Sequence, residues 1–193
     1  MWEPELLADA YSHGIFPWPD GDEVWWWSPD PRMVFIPGQV HVSRSLRRTL
    51  NAGRFTVTTD QAFAQVVACC ADRGEGTWIT PRMRAAYRHL HDLDIAHSIE
   101  VWDGDSLAGG LYGVQTGAAF TGESMFHRVT DASKVALVRL SDLLAGAGFT
   151  LFDAQLPTGH LARMGGITMP REQFLDDLAD AVGRAVNFPV IRR

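Results

Sequence analysis

"GAAFTGESMF", residues 117–126, reads as an apolar strand that ends on a carboxylate, Glu123. A glutamate closing a buried strand is costly unless something nearby needs its charge. Downstream, Asp131 is placed to cap a helix, "ASKVALVRLSDLLAGAG" (132–148), and "FTLFDAQ" (149–155) is a strand again. Strand, helix and strand in this order make a crossover unit, which sets the two strands parallel and close, with a right-handed connection. Their C-terminal ends then open on the same side of the sheet, where α/β sheets bind ligands. Topology alone therefore predicts that Glu123 faces Asp153 and Gln155 across a cleft.

Working outward, strands at about 96–103, 106–115 and 118–123, joined by "DGD" and "TG" turns, predict an antiparallel meander. "PELLADAYSH" (4–13) is a helix stopped by Gly14. Ser43 caps a helix to about Asn51 with Gly53 at its end, and 55–58 is a strand. Asp60 is expected to cap "QAFAQVVACCADR", and Thr80-Pro81 opens a helix to about Leu93. Two short helices close the chain, at 159–164 and from 171 to about 182. "GIFPWPDGDEVWWWSPDPR" (14–32) is aromatic and rich in Pro and Gly, which predicts turns without long elements. The expected fold class is α+β: a small N-terminal domain over residues 1–31, then a larger domain over 32–193 built on a mixed sheet flanked by helices.

Length and composition bound the function. A chain of 193 residues with 46% apolar and 21% charged content is an ordinary globule able to bury a sizeable core. With no apolar run of membrane-spanning length and no basic-then-apolar leader, a cytoplasmic location is expected, with no membrane partner. Cys69 and Cys70 are adjacent in an amphipathic segment, which suits reduced core thiols. Four of the seven tryptophans, Trp18 and Trp25 to Trp27, fall within ten residues and suggest either an aromatic platform or a small satellite core. Residues 31–59 hold no Asp or Glu but five arginines, Arg32, Arg44, Arg47, Arg48 and Arg54. That island carries +5 of a net −6, so the rest of the chain stands at −11. Such a patch suits an anchored phosphate backbone, and equally a solvated arginine face.

"GIFPW", "WWSPDPR", "GTWIT", "AHSIEVW", "GGLYG", "GESMF", "ASK" and "DAQ" occur in this order. With them the chain, from about Leu6 to Phe174, resembles the leucyl/phenylalanyl-tRNA–protein transferase family. The resemblance implies an acyl-CoA N-acyltransferase-like catalytic domain behind an N-terminal domain that is shortened here. It also implies an aminoacyltransferase that moves Leu, Phe and, less well, Met from aminoacyl-tRNA to proteins beginning with Arg or Lys, marking them for N-degron degradation. Thr158 stands where members of that family carry Asn.

An aminoacyl ester is already activated toward an amine, so neither a metal nor another cofactor is expected. Positioning can supply roughly 7–11 kcal/mol of the barrier reduction. The resemblance and the topology point to one pair of catalytic residues: Gln155, whose amide suits an oxyanion or orients the amine, and Asp153, which either orients that amide or takes the proton. Glu123 is expected to bind an amine or ammonium, with the α-amino group of the transferred residue the first choice. The side-chain pocket would be lined by Leu111, Phe120, Met125 and Leu144. Trp78, after two glycines, would stack the terminal adenine, Tyr87 would donate a hydrogen bond in the same pocket, and Trp18 joins the substrate-binding set. Arg44, Arg47 and Arg48, at i, i+3 and i+4 of one helix, would clamp the tRNA backbone. A monomer is expected.

Other readings are weaker. "HLHDLDIAH" places His89 and His91 two apart, off a common helix face, so metal binding is not expected. Ser124 lacks the G-x-S-x-G elbow of a serine nucleophile. Lys134, in a helix's first turn, either touches phosphate or is a solvated lysine. A coenzyme-A-dependent acetyltransferase would need a glycine loop cradling pyrophosphate on backbone N–H groups, and none precedes a helix here. A non-catalytic tRNA-binding module would not need Glu123, Asp153 and Gln155 together.

Overall fold

The computed structural model describes residues 4–20, 23–72 and 77–193. Helix α1 (Pro4–Ser12) ends at Gly14, whose φ of +72° is a left-handed stop. The aromatic segment then pairs with itself: β1 (Phe16–Asp20) and β2 (Glu23–Trp27) form an antiparallel two-stranded sheet with Trp18 opposite Trp25. The sequence predicted only turns there. Pro17 and Pro19 are tolerated because a two-stranded sheet has only edge strands, so N–H groups on its outer sides need no partner.

Seven strands make the main sheet, in the order β4-β5-β6-β7-β8-β3-β9. They are β3 (Arg32–Phe35), β4 (Phe55–Thr59), β5 (Ala96–Asp103), β6 (Ser106–Thr116), β7 (Ala119–His127), β8 (Leu151–Gln155) and β9 (Ile167–Met169). The meander β5-β6-β7 is antiparallel as expected, and β7 pairs β8 in parallel through the crossover helix α5 (Ala132–Gly146). Strands β3 and β9 were not anticipated. "RMVF" is too short to show a period, yet all four of its residues are buried, because β3 is enclosed between β8 and β9.

Helices cover both faces. Helix α5 is buried along most of its length and shares one core layer with Leu46 of α2 (Arg44–Asn51) and with Ile99, Leu111, Phe120 and Phe152 of the sheet. The other layer joins α1, α3 (Phe63–Ala71) and α4 (Pro81–Asp92) over Tyr112 and Val114. Helices α6 (Gly159–Arg163) and α7 (Arg171–Val182) complete the chain, with α7 packed on Ala119 and Leu151. Cys69 and Cys70 lie in α3 and are not joined in a disulfide, with Cys70 buried. No helix among the described residues is long and apolar enough to cross a membrane.

Two caps differ from expectation. Asp60 lies three residues ahead of α3 and accepts from the backbone N–H of Ser98 (2.7 Å) and bonds His97 (2.9 Å); the N–H of Gln61 donates instead to the buried Glu100. Asp131 sits at the N-cap of α5 but makes no side-chain capping bond; its carboxylate is held by Lys134 (2.7 Å) and Thr49 (3.2 Å). Ser43, Thr80 and Thr158 do cap α2, α4 and α6.

Candidate active site

Strand β7 runs to His127, so Glu123 lies inside the strand and not at its end. The ladder with β6 pairs Gly113 with Gly122 and Tyr112 with Ser124, which leaves Glu123 as the extra residue of a β-bulge. Gly113 permits this close approach, because a Cβ there would overlap the Thr121 carbonyl oxygen and the Phe120 ring. The bulge also resets which way the side chains face: Phe120 before it and Met125 after it pack against the same core layer.

The parallel pairing of β7 with β8 stops at Thr121 and Asp153. Beyond that point β7 stays with β6, while Gln155 of β8 pairs with Met33 of β3. The splayed strands leave a cavity of about 120 Å³ between them. Its walls are mainly apolar, including Leu111, Met125, Leu137, Phe152 and Leu161, and Glu123 and Gln155 stand among them.

Glu123 is half-buried and receives hydrogen bonds from Tyr87 and Gln155. Tyr87 Oη donates to Oε2 at 2.6 Å and Gln155 Nε2 donates to Oε1 at 2.8 Å. Tyr87 gives its only proton to the carboxylate, and the Tyr11 hydroxyl on α1 lies 2.8 Å behind it. Burial is the largest influence on Glu123 and pushes its pKa up to about 7, against the lowering effect of the Tyr87, Tyr11 and Gln155 hydrogen bonds. The charge of Asp153 adds to the rise. Burial also lifts both tyrosines well above the ordinary phenol value, so they remain donors.

Gln155 has φ +62°, a left-handed conformation that costs a side-chain-bearing residue about 1–2 kcal/mol. Its own backbone N–H donates to Asp153 Oδ1 at 2.8 Å, which holds the turn that aims the amide at Glu123. Asp153 is 1% exposed and forms a two-pronged ion pair with Arg32, Nε to Oδ1 at 2.8 Å and Nη2 to Oδ2 at 2.6 Å. The Arg32 guanidinium lies 4.9 Å from the Phe16 ring and 4.4 Å from the Phe174 ring, and its Nη1 donates to the Gly14 carbonyl at 3.0 Å.

The model of the leucyl/phenylalanyl-tRNA protein transferase family matches residues 34–179, and the model of that family's N-terminal domain matches residues 3–30. The chain belongs to the leucyl/phenylalanyl-tRNA–protein transferase family. A transferase of this name from Anaeromyxobacter dehalogenans (strain 2CP-C) is 53% identical over 98% of this chain and 82% of its own length. One from Aromatoleum aromaticum is 52% identical over 92% of this chain and 76% of its own. A solved L-PGS structure from Bacillus licheniformis overlaps 80% of this chain and 65% of its own at 9% identity and a TM-score of 0.48. A GCN5-related N-acetyltransferase from Kribbella flavida overlaps 83% and 58% at 11% identity and a TM-score of 0.44. This protein is thus an aminoacyltransferase with a mixed sheet flanked by helices, preceded by the family's N-terminal segment.

In this transferase Leu111 and Met125 line the cavity, but Phe120 and Leu144 do not. Both are wholly buried, Phe120 stacked among Phe152 and Phe188 and Leu144 on α5 in the core. Phe120 faces the same core layer as Met125, but its ring is covered by Phe152 and Phe188. Trp78 and Trp18 lie outside the cavity and stack on each other, centroids 6.3 Å apart and planes 8° from parallel, with Trp27 6.0 Å from Trp18. Residues 74–76 of the expected "GEGTWI" loop lie outside the described residues.

Arg44, Arg47 and Arg48 are exposed on α2, and among the described residues none has an acidic partner within ion-pair distance. The other two arginines of the basic island leave it: Arg32 is buried, and Arg54 pairs with Asp103. Lys134 is held by Asp131. His91 stacks on Phe63 at 4.1 Å, and no group of three metal-ligating side chains occurs among the described residues. Ser124 lines the cavity beside Glu123.

Sequence reading missed Arg32 and Tyr11. The signal for Arg32 was the carboxylate inside the apolar "FTLFDAQ", which needed a buried cation, and in "RMVF" an arginine leads an apolar run. Nothing local marked Tyr11.

Proposed function

We propose that the protein transfers Leu, Phe and, less well, Met from aminoacyl-tRNA to the α-amino group of proteins beginning with Arg or Lys, marking them for N-degron degradation in the cytoplasm. The supporting observation is the hydrogen-bonded Glu123–Gln155 pair at the edge of an apolar cavity between two splayed strands. A cavity of about 120 Å³ is of the same order as the ~150 Å³ apolar cavity that takes benzene, so one isobutyl or benzyl group suits it. Apolar walls separate similar hydrophobes by only ~1–3 kcal/mol per methylene, which is why Met should also be accepted. In this reading Gln155 offers its free amide N–H to the oxyanion, Asp153 holds Gln155, and Tyr87 steadies Glu123. A monomer without metal, coenzyme A or another cofactor completes the proposal, as does the division into domains 1–31 and 32–193.

The direct test mixes the protein with charged leucyl-tRNA and a peptide beginning with Arg or Lys, and looks for a leucine-sized mass increase. An unchanged peptide mass would remove the reading.

Two further expectations separate the donor's parts. The terminal adenine is assigned to Trp78, backed by Trp18. Base-on-aromatic stacking contributes ~1–3 kcal/mol, so Trp78→Ala should weaken binding of an aminoacyl-adenosine fragment by roughly tenfold or more. Unchanged affinity in a calorimetric titration would refute the stacking role. Reversing Arg44, Arg47 and Arg48 to Glu should raise KM for charged tRNA and flatten its dependence on salt, while sparing the short aminoacyl-nucleoside donor. Equal damage to both donors would reject the phosphate clamp.

A further inference from the structure

We propose that Glu123 takes the proton from the attacking amine, and that Asp153 is a positioning residue that never exchanges one. The assignment rests on the transfer reading above. An ionised carboxylate offers about four lone-pair sites, and Asp153 has filled all of its own. Oδ1 accepts from Arg32 Nε and from the Gln155 backbone N–H, and Oδ2 accepts from Arg32 Nη2 and from Thr121 Oγ1. Asp153 is also 1% exposed and does not line the cavity. A proton arriving there would have to break a two-pronged contact with a buried guanidinium.

Glu123 is the opposite case. Its hydrogen bonds come from neutral groups, Tyr87 and Gln155, with no cation clamped on it, and the residue lines the cavity beside Gln155. Every ionisable group around it is a donor or another acid: Tyr87 on α4, Tyr11 on α1, Tyr112 on β6, whose ring meets Tyr87 edge-on at 5.2 Å, and Asp153 on β8. Among the described residues no Lys, Arg or His pairs with it, so nothing holds it permanently ionised.

The step balances within the two substrates. The amine lone pair forms the C–N bond and the carbonyl π pair moves onto oxygen, where the second N–H of Gln155 receives it. The nitrogen, now cationic, passes its proton to Glu123. Collapse breaks the C–O bond to the ribose, whose oxygen keeps the bonding pair and recovers the proton from Glu123. An amide, a free hydroxyl and the original carboxylate result.

Single-turnover rates at saturating leucyl-tRNA and Arg-peptide, between pH 5.5 and 9, test this on the full chain. Glu123→Gln should lower the rate roughly 10²–10⁴-fold at pH 8, the usual worth of a positioned base. Its KM for the donor should stay within threefold of the parent's, which also reports an intact site. The acceptor amine titrates identically in both proteins, so the ratio of their rates isolates Glu123; that ratio should fall about tenfold per pH unit below about 7. Asp153→Asn should be slower than the parent yet keep an acid limb, moved to lower pH because the Asp153 charge no longer raises Glu123. A tenfold rise in donor KM with the rate preserved in Glu123→Gln would show that Glu123 only holds an ammonium. An acid limb lost in Asp153→Asn but kept in Glu123→Gln would return the proton to Asp153. A parent protein that leucylates no peptide at any pH would remove the transfer reading itself, and this assignment with it.

Discussion

Arg32→Met is expected to cost about 3–5 kcal/mol of folding stability, because it leaves the Asp153 carboxylate buried without its cation. The substitution also removes the hydrogen bond to the Gly14 carbonyl and the contacts of the guanidinium with the Phe16 and Phe174 rings. Arg32 therefore joins four separate parts of the chain: the end of α1, the first strand of the aromatic hairpin, the C-terminal helix and the strand that carries the site. Urea unfolding monitored by tryptophan fluorescence measures the loss as a lower midpoint at constant slope. The double substitution Arg32→Met with Asp153→Leu should recover much of it, since an apolar pair of similar size needs no partner. The coupling between the two positions should reach about 2 kcal/mol, within the range found for residues in direct contact. A single Arg32→Met variant that unfolds within 1 kcal/mol of the parent would show that the pair does not hold these segments together. The double variant should stay inactive however stable it is, because the Gln155 backbone N–H has lost its acceptor.

The same pair marks the line between what could and could not be read in advance. Residues 96–155 carry their own instructions: alternation, a helical period and turn residues all act within a few positions, so the meander, the crossover helix and the parallel strands could be read directly. The meeting of Glu123 with Gln155 followed from that topology, and the two side chains do touch. What failed was local information with more than one outcome. "RMVF" and "ITM" are too short for any period, and they become strands only because β8 supplies an edge on which β3 and then β9 can add. "FPWPD" contains two prolines, which argue against a central strand but not against an isolated ribbon. Arg32 was counted with its neighbours as surface charge, since charge patterning along a chain cannot tell an arginine facing water from one facing a carboxylate 121 positions away. The bulge was hidden for a related reason: an extra residue in one strand is visible only against its partner. It sets Phe120 and Met125 against one core layer and brings Glu123 to the cavity wall.

Gln155 is where backbone geometry and chemistry can be separated. Gln155→Ala is expected to lower the transfer rate by about 10²–10³, the usual consequence of removing one donor to a developing oxyanion. It also frees Glu123 Oε1 from its partner. A loss of rate alone would not show whether the amide or the left-handed turn at φ +62° matters. Gln155→Gly resolves this, because glycine adopts that φ without strain while alanine does not. The glycine variant should be the more stable of the two by about 1 kcal/mol, the size of the left-handed penalty for a residue with a Cβ. If the amide is the working group, both variants should be equally slow despite that difference. Gln155→Glu adds a third comparison: it preserves the length of the side chain but sets a second carboxyl against Glu123, so one of the pair must hold a proton to avoid two adjacent like charges. That variant should be slow near neutral pH and should not match the parent at any pH, because a shared proton cannot serve both as the hydrogen bond to Glu123 and as the donor to the oxyanion. A glycine variant that transfers leucine at the parental rate would mean that the turn at Gln155 was needed only for shape, and that the oxyanion is met by some other donor.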